Sequence, residues 1–143
     1  MNKSHVVIVP CGSTKLTKPA TAKHLYQGNY FKLNLKWALS VAPADSVFIL
    51  SAKHGFVALN TVIDPYDTKM GSAGSIKPSV IAEQAAALGL NNRQLYALGG
   101  QLYINALRSA GLKVCAPFEG LGMGWQRHLA KKNMGRLPKW VAR

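Results

Sequence analysis

The residue types best suited to chemistry lie in two short clusters, Ser51-Ala52-Lys53-His54-Gly55 and Asp64-Pro65-Tyr66-Asp67. The first joins a hydroxyl, an ammonium and an imidazole; the second holds two of the five acidic residues in the chain. A carboxylate can stabilise the positive charge that develops at a sugar as its base leaves, and can orient the attacking water. On that reading Asp64 or Asp67 serves the sugar and Tyr66 packs on the base. Lys53 or His54 holds phosphate or protonates the departing base. The plainer reading is a turn, because Asp-Pro starts turns and Asp67 can cap local backbone. Cys11 is a further candidate nucleophile, although free cysteines are more often small buried hydrophobes. Gly12, Ser13 and Lys15 follow it, offering backbone N–H groups and a cation to an anion. The Gly-x4-Gly-Lys spacing of a P-loop is absent.

These clusters need elements to hold them. Val47-Phe-Ile-Leu50 is too short for a helix and lacks polar alternation, so it reads as a strand buried on both faces of a parallel sheet. Runs of the same kind predict strands at 5–9, 94–98 and 113–116. Between the first two, Phe31, Leu35, Ala38, Leu39 and Ala42 mark one face of an amphipathic helix over 29–42, stopped by Pro43. Thr17 to Lys23 reads as a surface loop and Gly71 to Ser75 as a flexible linker. Pro78 fits a helix start; Ile81, Ala85 and Leu88 form one face of that helix, and Gly89 a C-terminal cap. Leu102, Ala106, Leu107 and Ala110 mark another helix, and 125–132 a last, basic one. The expected fold is a single α/β domain over 1–143, with a central mostly parallel sheet of at least four strands flanked by helices.

Each predicted strand ends in small or polar residues: Cys11-Gly12-Ser13, Ser51 to Gly55, Gly99-Gly100, and Glu119-Gly120-Leu-Gly122. In open α/β sheets, ligands bind beyond the carboxyl ends of the strands, and glycines there let backbone approach a ligand closely. Ser51, Gly55, Gly99, Gly100, Gly120 and Gly122 are therefore substrate-binding candidates, together with Tyr30, Tyr103 and Gln126. Strand-to-helix turns account for any one of these glycines equally well.

Charge points to the partner. The 143 residues contain 18 Lys+Arg against 5 Asp+Glu, a net charge of +13, and such an excess on a small domain attracts polyanions. Six basic residues and no acid lie between Arg127 and Arg143. Arg127, Lys131, Lys132, Arg136 and Lys139, with Trp125 and Trp140 among them, combine backbone neutralisation with base stacking. DNA or RNA is the expected partner of this basic helix and tail, about 125–143. No run of about 18 apolar residues suits a membrane span. The five or so apolar residues after Met1-Asn-Lys-Ser-His5 are too few for a signal-peptide core, so a cytoplasmic location is expected. Two cysteines make no disulfide framework, and no Cys/His spacing suggests a metal; no cofactor is indicated.

Leu50-Ser-Ala-Lys-His-Gly-Phe-Val57 and Asp64-Pro-Tyr-Asp-Thr-Lys-Met-Gly71 together resemble the signature of the YaaA-like (peroxide-stress) family, in which a Ser-x-x-Tyr-Gly segment precedes a Pro-Tyr segment ending in Met-Gly. The likeness is closer to small phage and actinobacterial relatives. Those begin Cys-Gly-x-x-Lys, carry a Leu-Tyr-x-Gly-x-Tyr/Phe segment and an Ile-Leu-Ser-Ala-Lys-x-Gly core, and end near Gly-x-Gly. Here these read Cys11 to Lys15, Leu25 to Phe31, Ile49 to Gly55 and Gly120 to Gln126. The resemblance implies DNA binding and protection from oxidative damage. His54 stands where the larger relatives have Tyr, which adds a titratable group. The chain is also too short to carry over any helix-hairpin-helix region. Asp64-Pro65-Tyr66 looks like the Asp-Pro-Tyr of uracil-DNA glycosylases, an analogy only.

Two functions remain after this reading. One is an enzyme acting on a nucleobase or N-glycosidic bond, like a DNA glycosylase. The other is a DNA- or RNA-binding module without chemistry; a binder of a nucleotide-sized molecule is a third, weaker option. The acids favour the enzyme, because a pure binder of net charge +13 gains nothing from two carboxylates among its cations.

Overall fold

The computed structural model describes residues 4–142. Its backbone forms seven strands: β1 His5–Pro10, β2 Ala20–Thr21, β3 Val47–Ser51, β4 Gly55–Ala58, β5 Val62–Ile63, β6 Gln94–Ala97 and β7 Val114–Cys115. The helices are α1 Ala22–Leu25, α2 Asn29–Val41, α3 Pro78–Ala87, α4 Gln101–Ser109 and α5 Met123–Lys132. Five strands make the central sheet in the order β4-β3-β1-β6-β7. β1 runs parallel to β3 and β6, β6 runs parallel to β7, and β4 is antiparallel to β3. The four predicted strands are all present, in an α/β domain with helices on both sides.

Burial explains the sheet. Val6 to Val9 are at most 1% exposed, as a central strand covered on both faces must be. α2 packs against β1 and α5, while α3 packs against β4 and α4. α2 spans the expected residues but turns a different face inward. Phe31, Asn34, Trp37 and Ala38 are buried, whereas Leu39 is exposed and Leu35 half-buried. Trp37 is the largest side chain on the helix; it packs edge-on to Phe118 and donates its indole N–H to the Asn133 carbonyl. Burying Trp37 carries Asn34 inward one turn before it. Leu88 and Leu102, expected on core faces, are exposed for the same kind of reason, with Ile81, Ala85, Ile104 and Leu107 facing inward instead.

The sequence reading missed β4. Ser51 to Gly55 is a tight hairpin turn rather than a strand-to-helix turn, with Ser51 paired to Gly55. Gly55 adopts φ +75°, and a Cβ there would meet the Gln84 amide oxygen at 2.1 Å. Gln84 fills that space by donating to the His54 carbonyl and accepting from the Phe56 N–H. Gly55 is therefore a packing glycine, not a ligand contact. The expected loop 17–23 also holds structure: β2 pairs with β5, and α1 begins within it.

The C-terminal segment is docked, not free. The Trp140 indole donates to the Leu95 carbonyl at 3.0 Å, and the Tyr96 hydroxyl donates to the Pro138 carbonyl at 2.7 Å. Trp140 is thus committed to the sheet and corrects the expectation of a free stacking aromatic. Trp125, by contrast, is 65% exposed. Arg143 lies outside the described residues. Replacing Trp140 by Ala removes packing and a hydrogen bond, and should lower stability by about 1–3 kcal/mol. Urea unfolding followed by circular dichroism should show a lower midpoint at unchanged slope; an unaltered midpoint would mean the tail is not held to the sheet.

Candidate functional site

Strand order fixes where a site can form. After β1 the chain crosses through α2 to β3 on one side; after β6 it crosses through α4 to β7 on the other. Adjacent strands whose connections leave in opposite directions open a crevice at their carboxyl ends, the usual ligand position in such sheets. The ladders extend to its floor: the Leu98 N–H donates to the Ile8 carbonyl and the Cys11 N–H to the Leu50 carbonyl. Gly99, at φ +120°, crosses directly above Pro10, whose ring carbon lies 2.9 Å from where a Cβ would stand. A side chain at 99 would push the two strand ends apart.

A cavity of about 430 Å³ lies at this point, lined by Cys11, Gly12, Ser13, Lys15, Asp67, Thr68, Lys69, Met70, Leu102 and Tyr103. Its size is that of ordinary small-molecule sites. Cys11 and Tyr103 bridge the crevice, with sulfur and phenol oxygen 3.1 Å apart. The Ala52 N–H also points at the sulfur, at 3.4 Å. Burial, and then the neighbouring Cys11, push the Tyr103 hydroxyl well above its usual range, so it keeps its proton and serves as a donor. A larger hollow, of about 530 Å³ and bounded by Arg108, Cys115, Glu119 and Pro138, lies at the end of the edge strand β7 beside the C-terminal segment, away from the switch point between β1 and β6.

Behind the cavity wall runs a buried chain of hydroxyls. Ser51 Oγ accepts from the Lys53 and His54 N–H groups at 3.1 and 3.0 Å, closing the hairpin turn, and donates to the Tyr66 hydroxyl at 2.7 Å. The Tyr66 and Tyr26 hydroxyls are 2.5 Å apart. Burial raises the pKa of both phenols, Tyr26 to about 12, so both remain neutral. Lys15 lies over this pair, its ammonium 4.4 Å from the Tyr66 ring centre and 5.8 Å from that of Tyr26.

The predicted residues therefore separate. Cys11, Gly12, Ser13, Lys15, Asp67 and Tyr103 line one cavity. Ser51 and Tyr66 stand behind it, and Tyr66, only 7% exposed with its hydroxyl engaged, is not a platform for a base. Lys53, Asp64 and His54 do not line the cavity; Lys53 and Asp64 are exposed and His54 is half-buried on the hairpin turn. Desolvation lowers the His54 pKa, the Lys53 cation lowers it further, and Asp64 opposes both. The charged form of His54 is thus disfavoured on this turn. Tyr30 and Gln126 form a clamp: the phenol donates to Gln126 Oε1 at 2.5 Å, and the Gln126 amide donates to the Leu121 and Gly99 carbonyls. Gln126 so ties the loop containing Gly120 and Gly122 to the Gly99-Gly100 turn, and neither it nor Tyr30 faces the cavity. Gly100 and Gly122 are the residues just before α4 and α5.

Tyr26, Thr68, Lys69, Met70 and Leu102 were not anticipated. Tyr26 and the 68–70 segment sit inside the motifs quoted above, but nothing in their spacing separates a wall residue from its neighbours. Among the described residues, no group of three or more His, Cys, Asp or Glu side chains is placed to hold a metal ion, and no helix is long and apolar enough to cross a membrane.

The fold and cavity together define an α/β domain with a ligand-sized site at the switch point of its parallel sheet. The chain belongs to a family of unknown function, DUF6884, whose sequence profile matches residues 6–132. Neither a curated protein nor a solved structure matches it. The matched span runs from β1 through α5 and so contains every element that lines the cavity.

Ser51 ties the hairpin to the Asp64–Asp67 loop, and its removal leaves two part-buried N–H groups without their acceptor and the buried Tyr66 phenol short of a partner. Ser51→Ala should therefore cost about 2–3 kcal/mol, read as a lower urea midpoint, whereas exposed Ser72→Ala should change stability by less than about 0.5 kcal/mol. Equal effects of the two substitutions would show that the hydroxyl chain contributes nothing.

Proposed function

We propose that this protein is a nucleic-acid-binding enzyme that acts on the N-glycosidic bond of a nucleotide, with Asp67 as the catalytic carboxylate. The observation that carries the reading is the position of Asp67 on the rim of the switch-point cavity, beside Lys15 and Lys69. In the reaction the bond between the anomeric carbon and the base nitrogen breaks, with its electron pair leaving on the base. Positive charge spreads over the sugar, where the Asp67 carboxylate stabilises it and orients water. Water adds to the anomeric carbon and its proton passes to solvent. The protonated Tyr103 hydroxyl is the group in the cavity wall suited to hydrogen-bond the departing base. Asp64, outside the cavity, takes no part in this scheme.

The nucleic-acid component rests on the exposed cations. Lys131, Lys132, Arg136 and Lys139 are exposed, Arg127 is half-buried, and Trp125 stands out on the same helix. The likeness to YaaA-like proteins, carried by Cys11–Lys15 and the Ser51–Gly55 and Asp64–Gly71 motifs, accords with a DNA partner. A cytoplasmic setting belongs to the same reading, and both cysteines are buried free thiols.

Asp67→Asn keeps shape and removes charge. Base release from single- and double-stranded DNA carrying normal and modified bases should fall by at least about a hundredfold, equivalent to roughly 2.7 kcal/mol of transition-state stabilisation. Asp64→Asn should leave it within a few fold, and nucleic-acid affinity should persist in both. Wild-type protein that binds such substrates yet releases nothing from a broad panel would leave a binding module without chemistry.

Binding should weaken steeply with salt. Because the C-terminal segment is docked, its charges are better tested by substitution than by truncation. Replacing Lys131, Lys132, Arg136 and Lys139 by Gln should lower the slope of log affinity against log salt by roughly 0.7–0.9 for each cation that meets a phosphate. An unchanged slope would put the nucleic acid on another face.

A further inference from the structure

Lys15 is a half-buried cation lining the cavity, and it forms no ion pair among the described residues. An ammonium has three donors. Its hydrogen bond to the Ser13 carbonyl is long, at 3.5 Å, and the ring faces of Tyr66 and Tyr26 attract its charge without accepting its protons in hydrogen-bond geometry. The lysine is also held in place. Its backbone bridges to Tyr26, with the Leu16 N–H donating to the Leu25 carbonyl and the Gln27 N–H to the Thr14 carbonyl. The rings beneath it are fixed by the hydroxyl chain to Ser51. A positioned cation with donors to spare calls for an anion. Ser13, Thr68 and Lys69, which share the cavity, add two hydroxyls and a second cation. Met70, Leu102 and Tyr103 supply an apolar wall in the same cavity. A ligand with an anionic end and a flat apolar body meets both requirements.

We propose that Lys15, seated over Tyr66, is the anchor of a phosphate subsite in the switch-point cavity, and that the ligand is a phosphorylated nucleotide unit. This rests on the nucleotide reading above and names the part of the substrate that the cavity grips. The phosphate has two sources, a free nucleoside monophosphate or a nucleotide of a single strand, with the same chemistry at Lys15.

Equilibrium binding tests it apart from catalysis. Titration calorimetry at low salt would use a nucleoside 5′-monophosphate, the matching nucleoside, inorganic phosphate and a single-stranded oligonucleotide. Lys15→Met keeps the stem and removes the charge, and should weaken the monophosphate by about 10–100-fold while leaving the nucleoside unchanged. Inorganic phosphate should compete with the monophosphate. Lys36→Met, an exposed cation on α2 outside the cavity, should alter binding less than about twofold. If the oligonucleotide also loses affinity with Lys15→Met and is displaced by the monophosphate, the source is a strand; if it is indifferent to Lys15→Met, the source is the free nucleotide. Should Lys15→Met fail to fold, NMR of wild-type protein labelled at lysine Cε carries the test, since one partly buried lysine signal should move on adding phosphate. The subsite is refuted by wild-type protein that binds no phosphate species, by equal affinity in Lys15→Met, by equal losses in both variants, or by no moving lysine signal. Loss of base release alone would leave it standing, because calorimetry does not require turnover.

Discussion

The site depends on a hydroxyl chain buried between a hairpin turn and a loop. Ser51 accepts from the N–H groups of Lys53 and His54 and donates a hydrogen bond to the Tyr66 hydroxyl, which in turn meets that of Tyr26. Three hydroxyls removed from water must satisfy one another, since a buried polar group without a partner costs about 1–3 kcal/mol. That requirement holds the Asp64–Asp67 loop against the end of β3. It also fixes two aromatic rings under Lys15 and sets Asp67 on the rim of the cavity. The tyrosines are therefore the frame of the site, and the groups that face a ligand are carried upon it.

A second constraint comes from the sheet. β1 and β6 lie side by side while their connections leave in opposite directions, so the loops after them cannot fill the space between. Cys11 and Tyr103 face each other across that space. Gly99 keeps it narrow by crossing Pro10 where a side chain would collide. Gln126 then draws the α5 loop toward the same turn. Three loops distant in sequence are tied together by a glycine and a glutamine.

The distribution of charge complements this geometry. Glu119 is engaged by Arg108 and Gln101, which leaves Asp67 as the acid that lines the cavity. The cations of α5 and the following segment are spread on the outside, where they add to the attraction of a polyanion without being desolvated. Lys15 differs from them in lining the cavity with aromatic rings behind it. In the proposed function, attraction at a distance falls to the outer cations and recognition at the cavity to Lys15.

The four parallel strands and the fold class were legible in the sequence because their cause is local. Val6–Val9, Val47–Leu50 and Leu95–Leu98 are short apolar runs without alternation, and a run of that kind has few ways to hide both faces other than a covered parallel sheet. Cys11, Lys15 and Asp67, which line one cavity, stood out as candidates because strand-end loops of such sheets bear ligands and acids are scarce here. The division between cavity and support was not legible. Tyr66 and Asp67 are neighbours in sequence, yet one is buried in the hydroxyl chain and the other faces the opening. Lys15 and Lys53 follow strand ends alike, but β4 folds back antiparallel and turns Lys53 away from the cavity. Local pattern decides which segments become strands; which side chains meet depends on strand order and on burial of the partners, and those are set only when the chain closes on itself.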